Sequence, residues 1–225
     1  GDLGELQFLR CAHCQNMEGW PAYWKGLPPM YYSTHALGPA LAVAGRRATS
    51  VRCLGSGHLT DDLIGDYDNP YPVQTALIQL QDSAVVCEAT RCLSQMTRGF
   101  QERFDVYGDR MGFEWPQVDG EEPVVYEADT GPMPEGRRSR KVRRRRVTLP
   151  NYAERVPAEL RTHIRGGAGG NFRPHMVHEF VSAILEDRAP LIAGDVAANW
   201  TAVGILAHES SMNDGAPISI PTLGA

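Results

Sequence analysis

Two hydrophobic periods run through the chain. Up to about Trp115 apolar and polar residues tend to alternate, as half-buried strands require; beyond residue 173 apolar positions fall three and four apart, as helices require. Residues 5–14, ELQFLRCAHC, predict a strand, and VRCLGSG at 51–57 predicts another. The sharpest local signal lies at 73–93. There VQTALIQLQ and AVVCEATRC are β-rich runs joined at Asp82-Ser83, which predicts a hairpin. RFDVYG at 103–108 and MGFEW at 111–115 continue the antiparallel pattern across the Gly108-Asp109-Arg110 turn.

Helices are predicted at three places. Thr34 is placed to cap a short one that runs to about Ala44 and stops at Gly45. His178 to Asp187, with Val177, Phe180, Val181, Ile184 and Leu185 at helical spacing, predicts a helix with one buried face. Asp195 caps the third, which runs to about Met212 with Val196, Trp200, Val203, Ile205 and Leu206 on its apolar side; Gly215 then breaks it before a closing strand in PISIP. The stretch from 116 to about 146 is rich in Pro, Gly and charge and predicts a long mobile excursion, with RRVTLP at 145–150 returning as an edge strand. Strands first and helices late predict an α+β fold, a mostly antiparallel open-faced sheet with helices packed on one face, in one domain spanning 1–225.

Composition narrows the function classes. No apolar run approaches the ~20 residues of a membrane helix, so no membrane partner is expected. The net charge of −5 conceals an uneven distribution, since residues 137–146, RRSRKVRRRR, hold 8 of the 22 basic residues. The rest is an acidic body, and no aromatic residue interleaves the run for base stacking. A solvated loop is therefore expected there, and no nucleic acid partner. Five cysteines, at 11, 14, 53, 87 and 92, make an odd count that suits free thiols in a reducing cytoplasm.

The candidate chemistry is histidine chemistry. CAHC at 11–14 lacks the helix N-terminus of a redox pair and the second ligand pair of a zinc site, and on a strand Cys14 points away from Cys11 and His13; no metal is expected. His35 follows an aromatic, Pro-rich stretch from Trp20 to Tyr32 and opens a helix, whose N-terminus favours the neutral ring that accepts a proton. Read from its place alone, it serves equally as a structural hydrogen bonder. His13 lies on the first strand, and His175 ends the Gly-rich GGAGGNFRPH. No G-x-G-x-x-G lies between a strand and a helix, and there is no Walker loop.

The run 178–221 resembles the C-terminal end of the Gfo/Idh/MocA family of NAD(P)-dependent oxidoreductases. The matching positions are Phe180 to Ile184, Arg188 to Pro190, Ala207 to Ser210 and Ile220-Pro221. The hairpin and the strands after it resemble the family's sheet, so the likeness runs nearly end to end and is weakest at 116–150. It implies the substrate-binding and oligomerisation half of a dehydrogenase acting on a sugar or cyclitol. NAD or NADP would then be bound mainly by an N-terminal Rossmann half that this chain lacks, leaving the chain inactive by itself. His35 falls at the histidine of the family's D-x-x-x-H pattern, which implies the catalytic base, while Tyr31 stands where that pattern has Asp. His13, Trp20, Trp24, Tyr31 and His175 would line a sugar-like substrate's pocket, and homo-oligomers would form through the sheet face. THALGP at 34–39 also resembles the T-H-G-L-G-P of the family's NAD-dependent α-N-acetylgalactosaminidase branch. A non-catalytic sugar-binding or dimerisation module is the remaining reading.

Overall fold

The alternating half of the sequence builds one sheet. A computed structural model describes residues 1–118, 120–129, 131–133, 135–148, 150, 152–164 and 173–222. Its strands are β1 (Leu6–Cys14), β2 (Ala48–Ser56), β3 (Val73–Leu80), β4 (Val86–Cys92), β5 (Gln101–Gly108), β6 (Met111–Glu114), β7 (Val124–Ala128), β8 (Val142–Arg146) and β9 (Ile218–Ser219). They lie in the order β8-β7-β6-β5-β1-β4-β3-β2-β9. Every neighbouring pair is antiparallel except β1 with β4. The β3–β4 hairpin turns where the sequence predicts, with Asp82 at a φ of 49°.

The helices are α1 (Thr34–Ala44), α2 (Ala158–Arg161), α3 (Arg173–Leu185) and α4 (Gly194–Met212). On β3 the side chains of Gln74, Ala76, Ile78 and Leu80 are buried while Thr75, Leu77 and Gln79 face out. The inward set meets α1 and α4, and Leu9, Leu37, Leu41, Val51, Ile78 and Val203 form the heart of the core. The sheet is therefore covered by helices on one face and open on the other, as predicted.

Five local expectations are corrected. Thr34 does not cap α1: it is the first helical residue, and Ser33 before it has helical backbone angles and no capping side-chain bond. The helix start is set instead by a 3-10 turn, Pro29–Tyr32, that feeds directly into it. Asp195 is likewise inside the first turn of α4, where it pairs with Arg47. The segment 116–141 is not one long loop, because β7 lies in it, pairs with β6 and buries Val125. The edge strand β8 occupies 142–146 rather than 145–150 and keeps its arginines in water, which blunts a sheet edge against further pairing.

The fifth correction concerns α3. It begins five residues earlier than predicted, and its apolar face is not buried in this chain: Val177, Phe180 and Ile184 are each more than 60% exposed.

Candidate active site

His13, near the C-terminal end of β1, meets residues from α1 and β5. The approach of α1 is fixed by the turn before it. Met30 N–H donates to Gln74 Oε1 at 2.9 Å, and Gln74 Nε2 reaches His208 Nδ1 at 2.9 Å and Ser211 Oγ at 2.6 Å on α4. Gly204 lets α4 come close to this turn; a Cβ there would lie 2.2 Å from the Met30 carbonyl oxygen. Buried Arg91 ties the turn to the sheet, donating to the carbonyls of Tyr32 at 2.9 Å and His13 at 2.8 Å. Pro39, inside α1, offers no N–H to the carbonyl of His35 one turn earlier, so the first turn is held from outside as much as from within.

This scaffold assembles a hydrogen-bonded chain of three side chains. His35 Nδ1 lies 2.9 Å from Glu102 Oε1 on β5, and His35 Nε2 lies 3.0 Å from the Tyr32 hydroxyl. Since the carboxylate only accepts, Nδ1 carries the proton and Nε2 accepts from Tyr32. His13 stands beside them, its ring centroid 4.8 Å from that of His35 and its Nε2 3.9 Å from Glu102 Oε1. It is fully buried, and neither ring nitrogen has a hydrogen-bond partner among the described residues. Burial, with the Arg91 charge and then His35 adding to it, pushes His13 down to about 3, so the ring is neutral near pH 7. Burial also pushes Arg91 down, to about 10, which leaves it charged.

Aromatic rings extend the cluster. Tyr32 meets Trp24 at 5.3 Å between centroids, and Trp24 meets Trp20 at 5.4 Å, both edge-on. Phe100 closes on His13 at 5.3 Å from the other side. Phe100 and Glu102 also line a cavity of about 270 Å³ with Trp115 and Gln117, while Trp20 and Trp24 line one of about 100 Å³. A larger hollow of about 500 Å³ lies near Gln7, at the far end of β1 from the histidines.

The sequence-predicted residues thus divide. His13, His35, Trp20 and Trp24 are brought into one line of contacts. Tyr31 points elsewhere, edge-on to His208 at 5.2 Å, and its neighbour Tyr32 takes the place beside His35. His175 is on α3, with no contact to the cluster among the described residues; residues 166–172 of the Gly-rich stretch lie outside those residues. Sequence reasoning missed Tyr32, Arg91, Phe100 and Glu102. Glu102 is 67 positions from His35, so only the fold brings them together.

No family model matches the chain, and no curated protein does. Solved structures do. Levoglucosan dehydrogenase in complex with NADH and levoglucosan is similar at a TM-score of 0.66 and 15% identity, over 99% of this chain and 60% of that one. The UDP-N-acetylglucosamine 3-dehydrogenase GnnA from Acidithiobacillus ferrooxidans gives 0.60 at 16% identity, over 92% and 55%. Myo-inositol dehydrogenase from Lactobacillus casei, in complex with NAD(H) and myo-inositol, gives 0.54 at 12%, over 99% and 56%. This chain therefore spans somewhat more than half the length of the structures it matches. What it shares with these sugar and cyclitol dehydrogenases is the fold.

Proposed function

We propose that this chain is the substrate-binding half of an NAD(P)-dependent oxidoreductase acting on a sugar or cyclitol. The observation that carries the reading is the Tyr32–His35–Glu102 chain beside a wall of tryptophans, in a fold shared with dehydrogenases of such substrates. Among the described residues none forms a dinucleotide cradle, since the parallel strand pair found there, β1 with β4, is not part of a Gly-rich strand-to-helix turn. The dinucleotide would be held by a preceding Rossmann half, and when bound it supplies the acceptor or donor of a hydride.

This chain's own residues handle the proton. A substrate hydroxyl that displaces Tyr32 from His35 Nε2 gives its proton to that nitrogen, and Glu102 on Nδ1 stabilises the imidazolium that results. The tryptophan edges and faces meet the C–H surface of the ring. Tyr31 has no part in this, so Glu102 supplies from β5 the carboxylate that position 31 lacks.

Two surfaces fit the same reading. The exposed apolar face of α3 would be covered by the dinucleotide-binding half, the portion by which the matched structures are longer. The open sheet face, with Leu54 and Leu77 exposed, would pair with a second copy. The test is to assay the complete enzyme with NAD⁺ and NADP⁺ against a panel of pyranoses and cyclitols. Dinucleotide reduction supports the reading. THALGP favours a second one, the glycosidase-like branch, for which adding glycosides to that panel would show their cleavage without net reduction. Ligand binding with neither outcome would leave a non-catalytic module and overturn both.

A further inference from the structure

We propose that His13, His35 and Glu102 form a binding site for one divalent transition-metal ion of the zinc type, with a coordination position left for water or a sugar hydroxyl. The three residues offer one donor atom each, all within 4.8 Å of one another. A tetrahedral ion with bonds of about 2.0–2.2 Å holds its donors roughly 3.4 Å apart. The His35–Glu102 separation of 2.9 Å and the His13–Glu102 separation of 3.9 Å straddle that value. The third pair, His13 with His35, is the widest at up to 4.8 Å, so closing on an ion asks the partly exposed His35 and Glu102 side chains, 41% and 36% exposed, to shift by about 1 Å toward His13.

The second observation is His13 itself. A fully buried imidazole with both nitrogens unpartnered leaves a donor and an acceptor unsatisfied, which destabilises the fold. Phe100, Tyr32 and His35 already surround the ring, so a phenylalanine at position 13 would fill the space without that penalty. Ligation gives the ring the partner it lacks, and its neutral state leaves a lone pair to donate. Two imidazoles and one carboxylate suit zinc, cobalt, nickel or iron, and suit calcium or magnesium poorly, because those ions want oxygen throughout. The buried Arg91 charge opposes any cation here, so the expected affinity is on the order of micromolar rather than tighter.

One consequence rests on the function proposed above. An ion on His35 Nδ1 takes the place of the proton given to Glu102, and the ring then carries its proton on Nε2. In that tautomer Nε2 donates and cannot accept, so metal binding and proton acceptance at His35 exclude each other.

The site is tested on this chain without any turnover. The chain, freed of metal by a chelator, is titrated with Co²⁺, which reports its ligands by colour. The expected result is one equivalent bound, visible d–d bands of four- or five-coordinate cobalt, no thiolate charge-transfer band in the near ultraviolet, and displacement by Zn²⁺. The variants Glu102→Gln and His13→Ala should each weaken binding at least tenfold, since even outer-shell losses commonly reduce metal affinity by about 10–100-fold. Glu102 is partly exposed, so Glu102→Gln keeps the test valid if loss of His13 disturbs folding. No uptake at about a hundred times the expected Kd, a thiolate band that assigns the metal to the cysteines, or unchanged affinity in folded Glu102→Gln would each overturn the proposal. None of these outcomes touches the oxidoreductase reading, which is decided by dinucleotide reduction in the complete enzyme.

Discussion

Two helices near the end of the chain carry similar hydrophobic periods and meet different fates. α4 lies against the sheet, and its buried stripe is small and polar as well as apolar: Asn199, Val203, Ala207 and Ser210 repeat every three or four residues. Asn199 bonds both backbone groups of Ala48 at 3.0 Å, and Ser210 Oγ accepts from Cys53 N–H at 2.9 Å, so the helix is sewn to β2 by hydrogen bonds. α3 has the stronger apolar face, Val177, Phe180, Val181 and Ile184, and leaves it in water. A period reports which face needs covering. It does not report whether the cover lies within the same chain.

The contrast is broken most severely at α4. Replacing Asn199 with Leu leaves the N–H and C=O of Ala48 buried and unpaired, and should lower unfolding free energy by about 2–4 kcal/mol, read by chemical denaturation. Gln74→Leu should follow at about 1–3 kcal/mol, because Met30 N–H and the polar atoms of His208 and Ser211 lose their shared partner. The same experiment on α3 should give almost nothing. Phe180→Ser is expected to change the stability of this chain by no more than about 0.5 kcal/mol. In the complete enzyme the same substitution should release α3 to hydrogen exchange, which the covering half would otherwise protect. Equal exchange of α3 in the short and complete chains would remove the idea that another half covers it.

The smallest effect is electrostatic. Glu179 on α3 grips Arg188 with both carboxylate oxygens at 2.8 and 2.9 Å and accepts from Leu191 N–H, and Arg188, then Leu191, pulls its pKa down to about 2. A depressed carboxylate contributes above its unfolded value and is lost as pH falls through the folded one. The turn after α3 should therefore loosen between about pH 4.5 and 2, with the pair otherwise contributing little because it is open to solvent and salt. Hydrogen exchange at Leu191 across that range would show it; a flat profile would say that the clamp carries nothing.

Much of this fold is legible in the sequence because its signals are local. The β3–β4 hairpin announces itself through alternation and a tight turn, and α1 through Gly45, whose φ of 61° ends it as predicted. β7 is hidden, and β8 is expected three residues too late, because they are five residues each within a Pro-, Gly- and Arg-rich composition, and their pairing is with one another and β6. The site was half legible. His35 and His13 stand out as histidines near a helix start and a strand end. Tyr32 rather than Tyr31 faces His35 because the chain turns through 3-10 geometry there, a phase no spacing rule supplies. Glu102 carries no motif at all, and the expectation of no metal, drawn from the spacing of CAHC, says nothing about donors gathered from β1, α1 and β5.

In the proposed reaction His35, backed by Glu102, takes the hydroxyl proton of a sugar-like substrate. This step is tested most directly by kcat of the complete enzyme carrying His35→Ala, with folding checked by circular dichroism. Turnover lower by on the order of 10²-fold or more is predicted. Turnover equal to the parent enzyme would contradict the claim and leave the cluster a structural one.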